Sequence, residues 1–165
     1  MWEHFGSLKH LKLAYVGDAN NVCNSLLISC SKMGVDVAVA SPSEYRPREE
    51  VLNLAVKSAE ESGSSVKVSS NPVEAVAGAH VVYTDVLVSM GFEEEKSERL
   101  KVFLPKYQVT PDLLKHAAKD AVFMHCLPAH RGEEVTDEVI DGPRSVVWDQ
   151  AENRLHTAKA ILAYI

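Results

Sequence analysis

Residues 11–40 read LKLAYVGDANNVCNSLLISCSKMGVDVAVA, and this stretch decides the fold. An apolar run at 11–16 is followed by a longer amphipathic stretch at 22–33 and then by a second apolar run at 35–40. Gly34 favours the end of a helix between them, because glycine accepts the left-handed conformation. A strand, a helix and a second strand in this order predict a βαβ unit around a parallel sheet.

The same alternation continues along the rest of the chain. The predicted strands are Leu11–Val16, Val35–Ala40, Val66–Ser69, His80–Thr84 and Ala121–His125, with Ser145–Trp148 as a further candidate. The predicted helices are Val22–Met33, Pro47–Ser62, a short one from Asn71-Pro72, and Leu113–Lys119 behind Thr110-Pro111. Right-handed crossovers would then build an α/β fold, a three-layer Rossmann-like domain with a mostly parallel sheet of about five strands and helices on both faces. We expect residues 1–165 to form a single domain of this kind.

The composition excludes several classes of protein. The chain has 165 residues, 46% of them hydrophobic, and a formal charge of -6, as expected for a soluble globular domain. Its 17 basic residues are scattered among 23 acidic ones, which disfavours binding to nucleic acid. The three cysteines have no zinc or CxxC spacing, and no apolar stretch approaches the roughly 20 residues of a membrane span. We therefore expect a cytoplasmic protein with reduced thiols and no membrane association.

The first strand-to-helix turn, Gly17 to Val22, does not support a dinucleotide site. The dinucleotide fingerprint has three glycines that let the backbone approach a pyrophosphate, whereas this turn has one. Asp18 also places a carboxylate where a phosphate would lie. Asn20 and Asn21 suit a zwitterionic ligand instead, because carboxamides both donate and accept hydrogen bonds. The alternative is that they simply cap the helix.

Two further clusters of polar residues follow predicted strands. Asp85 and Ser89 come after the fourth strand, where they could pair with an ammonium group or cap a helix. The charged run Glu93–Glu98 beyond them is expected to be a solvated face, and Gly91 fits a hinged loop.

Cys126 ends the last predicted strand beside His125, and Arg154 follows in a later cluster. A thiol next to an imidazole and an arginine predicts surroundings that lower the thiol pKa. Cys126 could also be a small buried hydrophobe. A metal site formed by His125, Cys126, His130 and Glu133 is a weaker alternative, since these residues lack standard zinc spacing.

Five segments together resemble the second, ornithine-binding domain of the ornithine carbamoyltransferase family. In family order they are Trp2-Glu3-His4-Phe5-Gly6, Gly17-Asp18-Ala19-Asn20-Asn21, Thr84-Asp85 through Ser89-Met90-Gly91, His125-Cys126-Leu127-Pro128 and Asp149-Gln150-Ala151-Glu152-Asn153-Arg154-Leu155-His156. Aspartate carbamoyltransferases carry proline at the position of Cys126, and putrescine-specific relatives lack the loop at 89–91. Both therefore fit less well.

The resemblance implies a reaction in which the δ-amine of L-ornithine attacks carbamoyl phosphate to give citrulline and phosphate. This reaction serves arginine biosynthesis or the arginine deiminase pathway. By the resemblance, Asn21 and the Met90 backbone bind the ornithine carboxylate, and Asp85 and Ser89 hold its α-ammonium group. No cofactor and no metal ion is implied.

The remaining roles also come from the resemblance. Cys126 and the Leu127 carbonyl position the δ-amine, while Arg154 and His125 contact the carbamoyl group. Arg154 would stabilise the oxyanion of the tetrahedral intermediate.

The family binds carbamoyl phosphate mainly through an N-terminal domain, whose Ser-Thr-Arg-Thr-Arg and His-Pro-x-Gln motifs do not occur in this sequence. We therefore expect a fragment with little activity alone, derived from a trimer-based homo-oligomer. The alternatives are a stand-alone ornithine-binding or partner-binding module and, more weakly, a structural Rossmann-like domain.

Overall fold

The computed structural model describes residues 1–89 and 91–165, and within these ranges it contains five β-strands and eight α-helices. The strands are β1 (Lys12–Val16), β2 (Asp36–Ala40), β3 (Val66–Ser69), β4 (Val81–Thr84) and β5 (Val122–His125). The helices are α1 (Trp2–Phe5), α2 (Asn21–Lys32), α3 (Glu49–Ser62), α4 (Pro72–Val76), α5 (Lys96–Phe103), α6 (Pro111–Leu114), α7 (Asp137–Ile140) and α8 (Val147–Tyr164). Met90, for which the sequence predicts a substrate contact, lies outside the described residues.

The five strands form one parallel sheet in the order β3-β2-β1-β4-β5. The chain first builds outward from β1 to β3 and then crosses to β4 and β5 on the other side of β1. The strand order therefore reverses between β1 and β4, and open α/β sheets bind ligands at the carboxyl end of such a switch point. The predicted α/β fold is confirmed.

Alternation along the strands supplies one apolar layer on each face of the sheet. In β1, Leu13 and Tyr15 pack into a cluster that includes residues of α2 and α3. Ala14 and Val16 point to the opposite cluster, which includes residues of α4 to α7. Both faces of the sheet are thus covered by helices, as predicted.

Two predicted elements were wrong. Ser145–Trp148 is not a strand: Ser145 makes only an isolated bridge to Phe123, and α8 begins at Val147. The helix predicted at Leu113–Lys119 instead spans Pro111–Leu114, with the Thr110 hydroxyl accepting from the Leu113 N–H at 3.2 Å. It ends early because the Ala118 N–H donates to the Ala79 carbonyl, which draws the backbone back towards the sheet.

The C-terminal part of α8 exposes apolar side chains to solvent. Leu155 and Leu162 are 61% and 72% exposed, and Ile165, directly after the helix, is 92% exposed. In the described ranges 1–89 and 91–165, no helix has both the length and the apolar character that a bilayer crossing would need.

Candidate functional site

Three predicted clusters meet at the carboxyl edge of the sheet. Strands β1, β4 and β5 are neighbours in parallel register, so Val16, Thr84 and His125 end at the same edge. The Thr84 hydroxyl donates to the Val16 carbonyl at 2.6 Å and joins two of these ends directly. The residues that follow the strands are therefore close in space although they are remote in sequence.

Asp85 is the centre of this arrangement and is only 6% exposed. Its Oδ2 accepts a hydrogen bond from the Asn20 amide at 2.7 Å, and its Oδ1 accepts one from the Cys126 thiol at 3.0 Å. The switch point thus brings a carboxylate, a carboxamide and a thiol from three separate segments into contact.

The two asparagines have different roles in the structure. Asn20 caps α2, because its Oδ1 accepts from the backbone N–H groups of Val22 and Cys23 at 2.9 and 3.2 Å. The capping interpretation is therefore confirmed for Asn20. Asn21 is the exposed first residue of α2. Its predicted contact with a ligand carboxylate stays a prediction.

A buried arginine links the segment after β4 to the turn that follows β1. Arg99 in α5 is 6% exposed, forms an ion pair with Asp18 and donates from Nε to the Leu87 carbonyl at 2.9 Å. Its guanidinium also lies 4.7 Å from the centre of the Tyr45 ring. Burial raises the pKa of Asp18, although Arg99 acts in the opposite direction. Ser89 is half-buried at the end of the segment that Arg99 fastens.

Glu93–Glu98 are exposed, as predicted, but Arg99 directly after them is not. Arg99 was not among the residues predicted from the sequence to form the site. The signal that the sequence offered was a cation at the end of a largely acidic run, near aromatic residues.

The pKa of the Cys126 thiol is higher than the sequence predicted. Burial and the hydrogen bond to Asp85 raise its pKa to about 12. The predicted lowering of this pKa was wrong, because the charged group that contacts the sulfur is a carboxylate. Arg154, the expected cation, is exposed on α8 across an open cleft.

That cleft has a volume of about 670 Å³, and several residues of the predicted site line it. Its lining includes Cys126, Leu127 and Arg154, together with Arg131 and Trp148. Leu127 has a φ of 56°, in the left-handed region that residues other than glycine rarely adopt. Such conformations are frequent where a backbone group serves a binding site.

His125 lies beneath this cleft and does not line it. Its side chain is fully buried, Nδ1 accepts from the Leu127 N–H at 2.8 Å, and Nε2 lies 3.3 Å from the Glu134 carboxylate. The structure therefore does not bring the ring to the cleft surface, and direct contact with a carbamoyl group stays a prediction. Glu134, also fully buried, was missed because nothing in the sequence distinguishes it from Glu133.

Within the described part of the chain, two groups of side chains have the proximity that a metal ion requires. They are Asp85 with His125 and Cys126, and His130 with Glu133 and Glu134. The alternative set named from the sequence is split between them. In the second group, Glu133 pairs with the Lys96 ammonium at 2.6 Å. We assign no metal to either.

Comparison with known proteins agrees with this geometry. Residues 9–165 match the family described as aspartate/ornithine carbamoyltransferase, Asp/Orn binding domain. The ornithine carbamoyltransferase of Pyrococcus horikoshii is 57% identical over 165 residues, which is 100% of this chain and 52% of that protein. The chain thus spans about half the length of the curated relatives it matches.

Solved structures give the same result. The ornithine carbamoyltransferase from Pyrococcus furiosus superposes with a TM-score of 0.93 at 59% identity, over 98% of this chain and 51% of that one. The ornithine carbamoyltransferase from Gloeobacter violaceus has a TM-score of 0.90 at 50% identity, over 98% of this chain and 53% of that one.

Proposed function

Because the chain belongs to the aspartate/ornithine carbamoyltransferase family, as its Asp/Orn-binding domain, we propose that residues 1–165 act as the ornithine-binding domain of an ornithine carbamoyltransferase. One observation carries the proposal: Asp85 contacts Cys126 beside the cleft that Arg154 lines. A carboxylate next to a neutral thiol suits an amine, and a guanidinium suits a developing oxyanion.

The proposed reaction joins L-ornithine to carbamoyl phosphate. The neutral δ-amine attacks the carbonyl carbon, a C–N bond forms, the bond from that carbon to the phosphate oxygen breaks, and the proton lost by the amine passes to the departing phosphate. The products are citrulline and inorganic phosphate. The reaction would belong to arginine biosynthesis or to the arginine deiminase pathway.

Asp85 holds an ammonium group of the substrate in this proposal. An ionised carboxylate has about four acceptor positions, and within residues 1–89 and 91–165 each Asp85 oxygen accepts one side-chain hydrogen bond. Acceptor capacity therefore remains for a cation. Ser89 assists at the α-ammonium group, and Asn21 with the Met90 backbone binds the carboxylate.

Cys126 positions the δ-amine without forming a covalent bond. A thiol with a pKa raised to about 12 is protonated near neutral pH and is a poor nucleophile. The sulfur instead accepts a hydrogen bond from the amine, next to the Leu127 carbonyl. In a full-length enzyme, a Cys126→Ser variant with unchanged activity would contradict this role.

Arg154 and His125 act at different distances from the carbamoyl group. Arg154 stabilises the oxyanion, and removing one such donor lowers kcat by about 10²- to 10³-fold. His125 is covered, so we assign it a positioning role: its Nδ1 holds the Leu127 N–H and thereby the carbonyl that faces the substrate.

The proposal extends to partners that lie beyond this chain. Carbamoyl phosphate would bind mainly to the other half of a full-length enzyme, which would be a trimer-based homo-oligomer in the cytoplasm. The chain alone is expected to form little citrulline. Appreciable turnover by the purified chain would contradict the proposal that carbamoyl phosphate binds mainly to the other half of the enzyme.

Ligand-induced stabilisation tests the ornithine site directly. L-Ornithine should raise the melting temperature of the chain. At a concentration of one hundred times its Kd, it should increase the free energy of unfolding by about 2.7 kcal/mol. Putrescine and L-aspartate should have smaller effects at equal concentration. Asp85→Asn should abolish the ornithine effect, whereas Asp112→Asn, the same change at an exposed carboxylate, should not. Equal shifts for all three ligands, or none for ornithine, would refute the proposal.

A further inference from the structure

A fully buried carboxylate lies beneath the turn that follows β5, and no predicted role includes it. The Glu134 Oε1 accepts a hydrogen bond from the His130 backbone N–H at 2.6 Å and lies 3.3 Å from the His125 Nε2. The side chains of Glu134 and His125 are both 0% exposed. One buried oxygen therefore contacts both ends of the segment 125–130.

The contacts of the His125 ring fix the position of its proton. The Leu127 backbone N–H donates to Nδ1 at 2.8 Å, and a backbone N–H can only donate, so Nδ1 carries no proton. A neutral imidazole has one protonated nitrogen, which is then Nε2, the atom that faces Glu134. The geometry of this contact is that of an ion pair rather than of an aligned hydrogen bond. Burial strengthens the attraction, because the local dielectric constant is low.

The backbone around Glu134 belongs to the core and does not depend on the turn. The Glu134 carbonyl accepts from the Val109 N–H at 2.8 Å. The next residue, Val135, is fully buried and forms an isolated bridge with Val109. The carboxylate is therefore a fixed point against which the turn after β5 is held.

Leu127 requires support of this kind, because its φ of 56° lies in the left-handed region. A residue other than glycine keeps such a conformation only where the surrounding contacts determine it. The Leu127 N–H is bound to the His125 ring, and the carbonyl of the same residue is the group that we propose to face the substrate amine. Rotation of the imidazole would release this N–H and change the direction of the carbonyl.

From these contacts we propose that Glu134 is a positioning residue of the site, which holds the Nε2–H form of His125 and the His130 N–H and thereby sets the direction of the Leu127 carbonyl. The inference rests on the proposed function and adds one residue to it. Glu134 does not touch the substrate. It acts as a buried carboxylate does beside a catalytic histidine, by fixing the tautomer and the orientation of the ring.

NMR of labelled histidine side chains tests the tautomer in the unmodified chain. Long-range correlations between ring protons and ring nitrogens distinguish a proton on Nδ1 from one on Nε2. The His125 ring can be assigned through its contact with the Leu127 amide. We expect the neutral ring to carry its proton on Nε2. A proton on Nδ1 would overturn the inference.

Glu134→Gln keeps an acceptor in place and should preserve the turn. Its carbonyl oxygen can take the position of Oε1, because both N–H groups at that point donate. Its amino group then takes the position of Oε2, 3.9 Å from the His130 Nδ1. We expect the Nε2–H form of His125 and the hydrogen exchange rate of the Leu127 amide to stay as in the unmodified chain.

Glu134→Met has a similar length but offers no oxygen to either donor. The imidazole is then free to turn, and the Leu127 amide should exchange with solvent about tenfold faster, the effect of losing about one hydrogen bond. The rate is measured relative to the amides of β1, so that a general loss of stability is recognised. The control is Glu133→Met, the same change at the next residue, whose carboxylate pairs with Lys96. It should leave the Leu127 rate unchanged.

Glu134→Asp tests the position of the oxygen rather than its presence. It keeps the carboxylate but shortens the side chain by one methylene, which withdraws the oxygens from both donors. The Leu127 amide should again exchange faster than in Glu134→Gln. This comparison also decides the question if Glu134→Met does not fold.

The outcomes distinguish this inference from the proposed function. Exchange of the Leu127 amide in Glu134→Met or Glu134→Asp at the rate of Glu134→Gln would overturn the inference, whatever ornithine does. If exchange changes as expected, Glu134→Met should also reduce the ornithine-induced shift in melting temperature, whereas Glu134→Gln and Glu133→Met should retain it. Equal shifts for Glu134→Met and Glu134→Gln would overturn the positioning role. The absence of any shift in the unmodified chain would instead count against the proposed function.

Discussion

Replacing Arg99 with methionine should be among the most damaging single changes in the chain. Methionine retains much of the aliphatic stem but removes the ion pair with Asp18, the hydrogen bond to the Leu87 carbonyl and the contact with the Tyr45 ring. Asp18 then keeps a largely buried carboxylate without a cation. The change therefore tests whether this ion pair holds the segment after β4 against the turn that follows β1.

The magnitude follows from the burial of both partners. The side chains of Arg99 and Asp18 are 8% and 13% exposed, and removing one partner of a buried ion pair costs about 3–5 kcal/mol. Most of this cost is the unpaired carboxylate left behind. The Asp18→Asn/Arg99→Met double variant should therefore be more stable than Arg99→Met alone, by about 1 kcal/mol or more.

The effect should also depend on pH in a defined direction. Burial raises the pKa of Asp18, and removing Arg99 removes the group that opposes this rise. A raised carboxyl pKa in the folded state contributes stability that is fully present below the unfolded pKa and is lost as pH rises through the folded pKa. The destabilisation by Arg99→Met should therefore shrink as the pH is lowered.

Urea denaturation followed by circular dichroism measures these free energies of unfolding. Lys101→Met is the control, since it breaks an exposed pair with Glu98 on the same helix and should cause no measurable change. A loss of less than about 1 kcal/mol for Arg99→Met, or a loss that Asp18→Asn does not relieve, would refute the reasoning.

Three further changes test the turn, the cap and the thiol. Gly17→Ala should cost about 1–3 kcal/mol, because Gly17 has a φ of 132° and a Cβ there would lie 3.4 Å from Leu87 and Thr84. Gly63→Ala, with a φ of 77° and open space around it, should cost less, and melting temperatures in the reverse order would contradict this. Asn20→Ala should cost about 1 kcal/mol or more in urea denaturation, because it removes both the α2 cap and a donor to Asp85; an unchanged midpoint would speak against it. Cys126 should alkylate far more slowly at pH 8 than a free cysteine, since its pKa is raised to about 12, and Asp85→Asn should accelerate it. Equal rates for Cys126 and a free thiol would show that Asp85 does not control the sulfur.

The strands could be predicted closely because apolar residues fill both faces of a parallel sheet and leave nearly continuous runs in the sequence. β1, predicted at Leu11–Val16, spans Lys12–Val16, and β5, predicted at Ala121–His125, spans Val122–His125. The run Ser145–Trp148 gave the same signal but forms the start of α8. Four residues are too few to separate the period of a strand from that of a helix.

The sequence by itself determined the parallel sheet and the segments from which the site is built, because the carboxyl ends of parallel strands share one edge wherever the strands lie in the chain. Only the tertiary structure decided which groups touch. It placed Asp85 rather than a cation against the Cys126 thiol, and it buried the side chains of His125 and Arg99. The physical reason is that charge and hydrogen bonding depend on distances of a few ångströms between segments remote in sequence, and periodicity and composition carry no information about those distances.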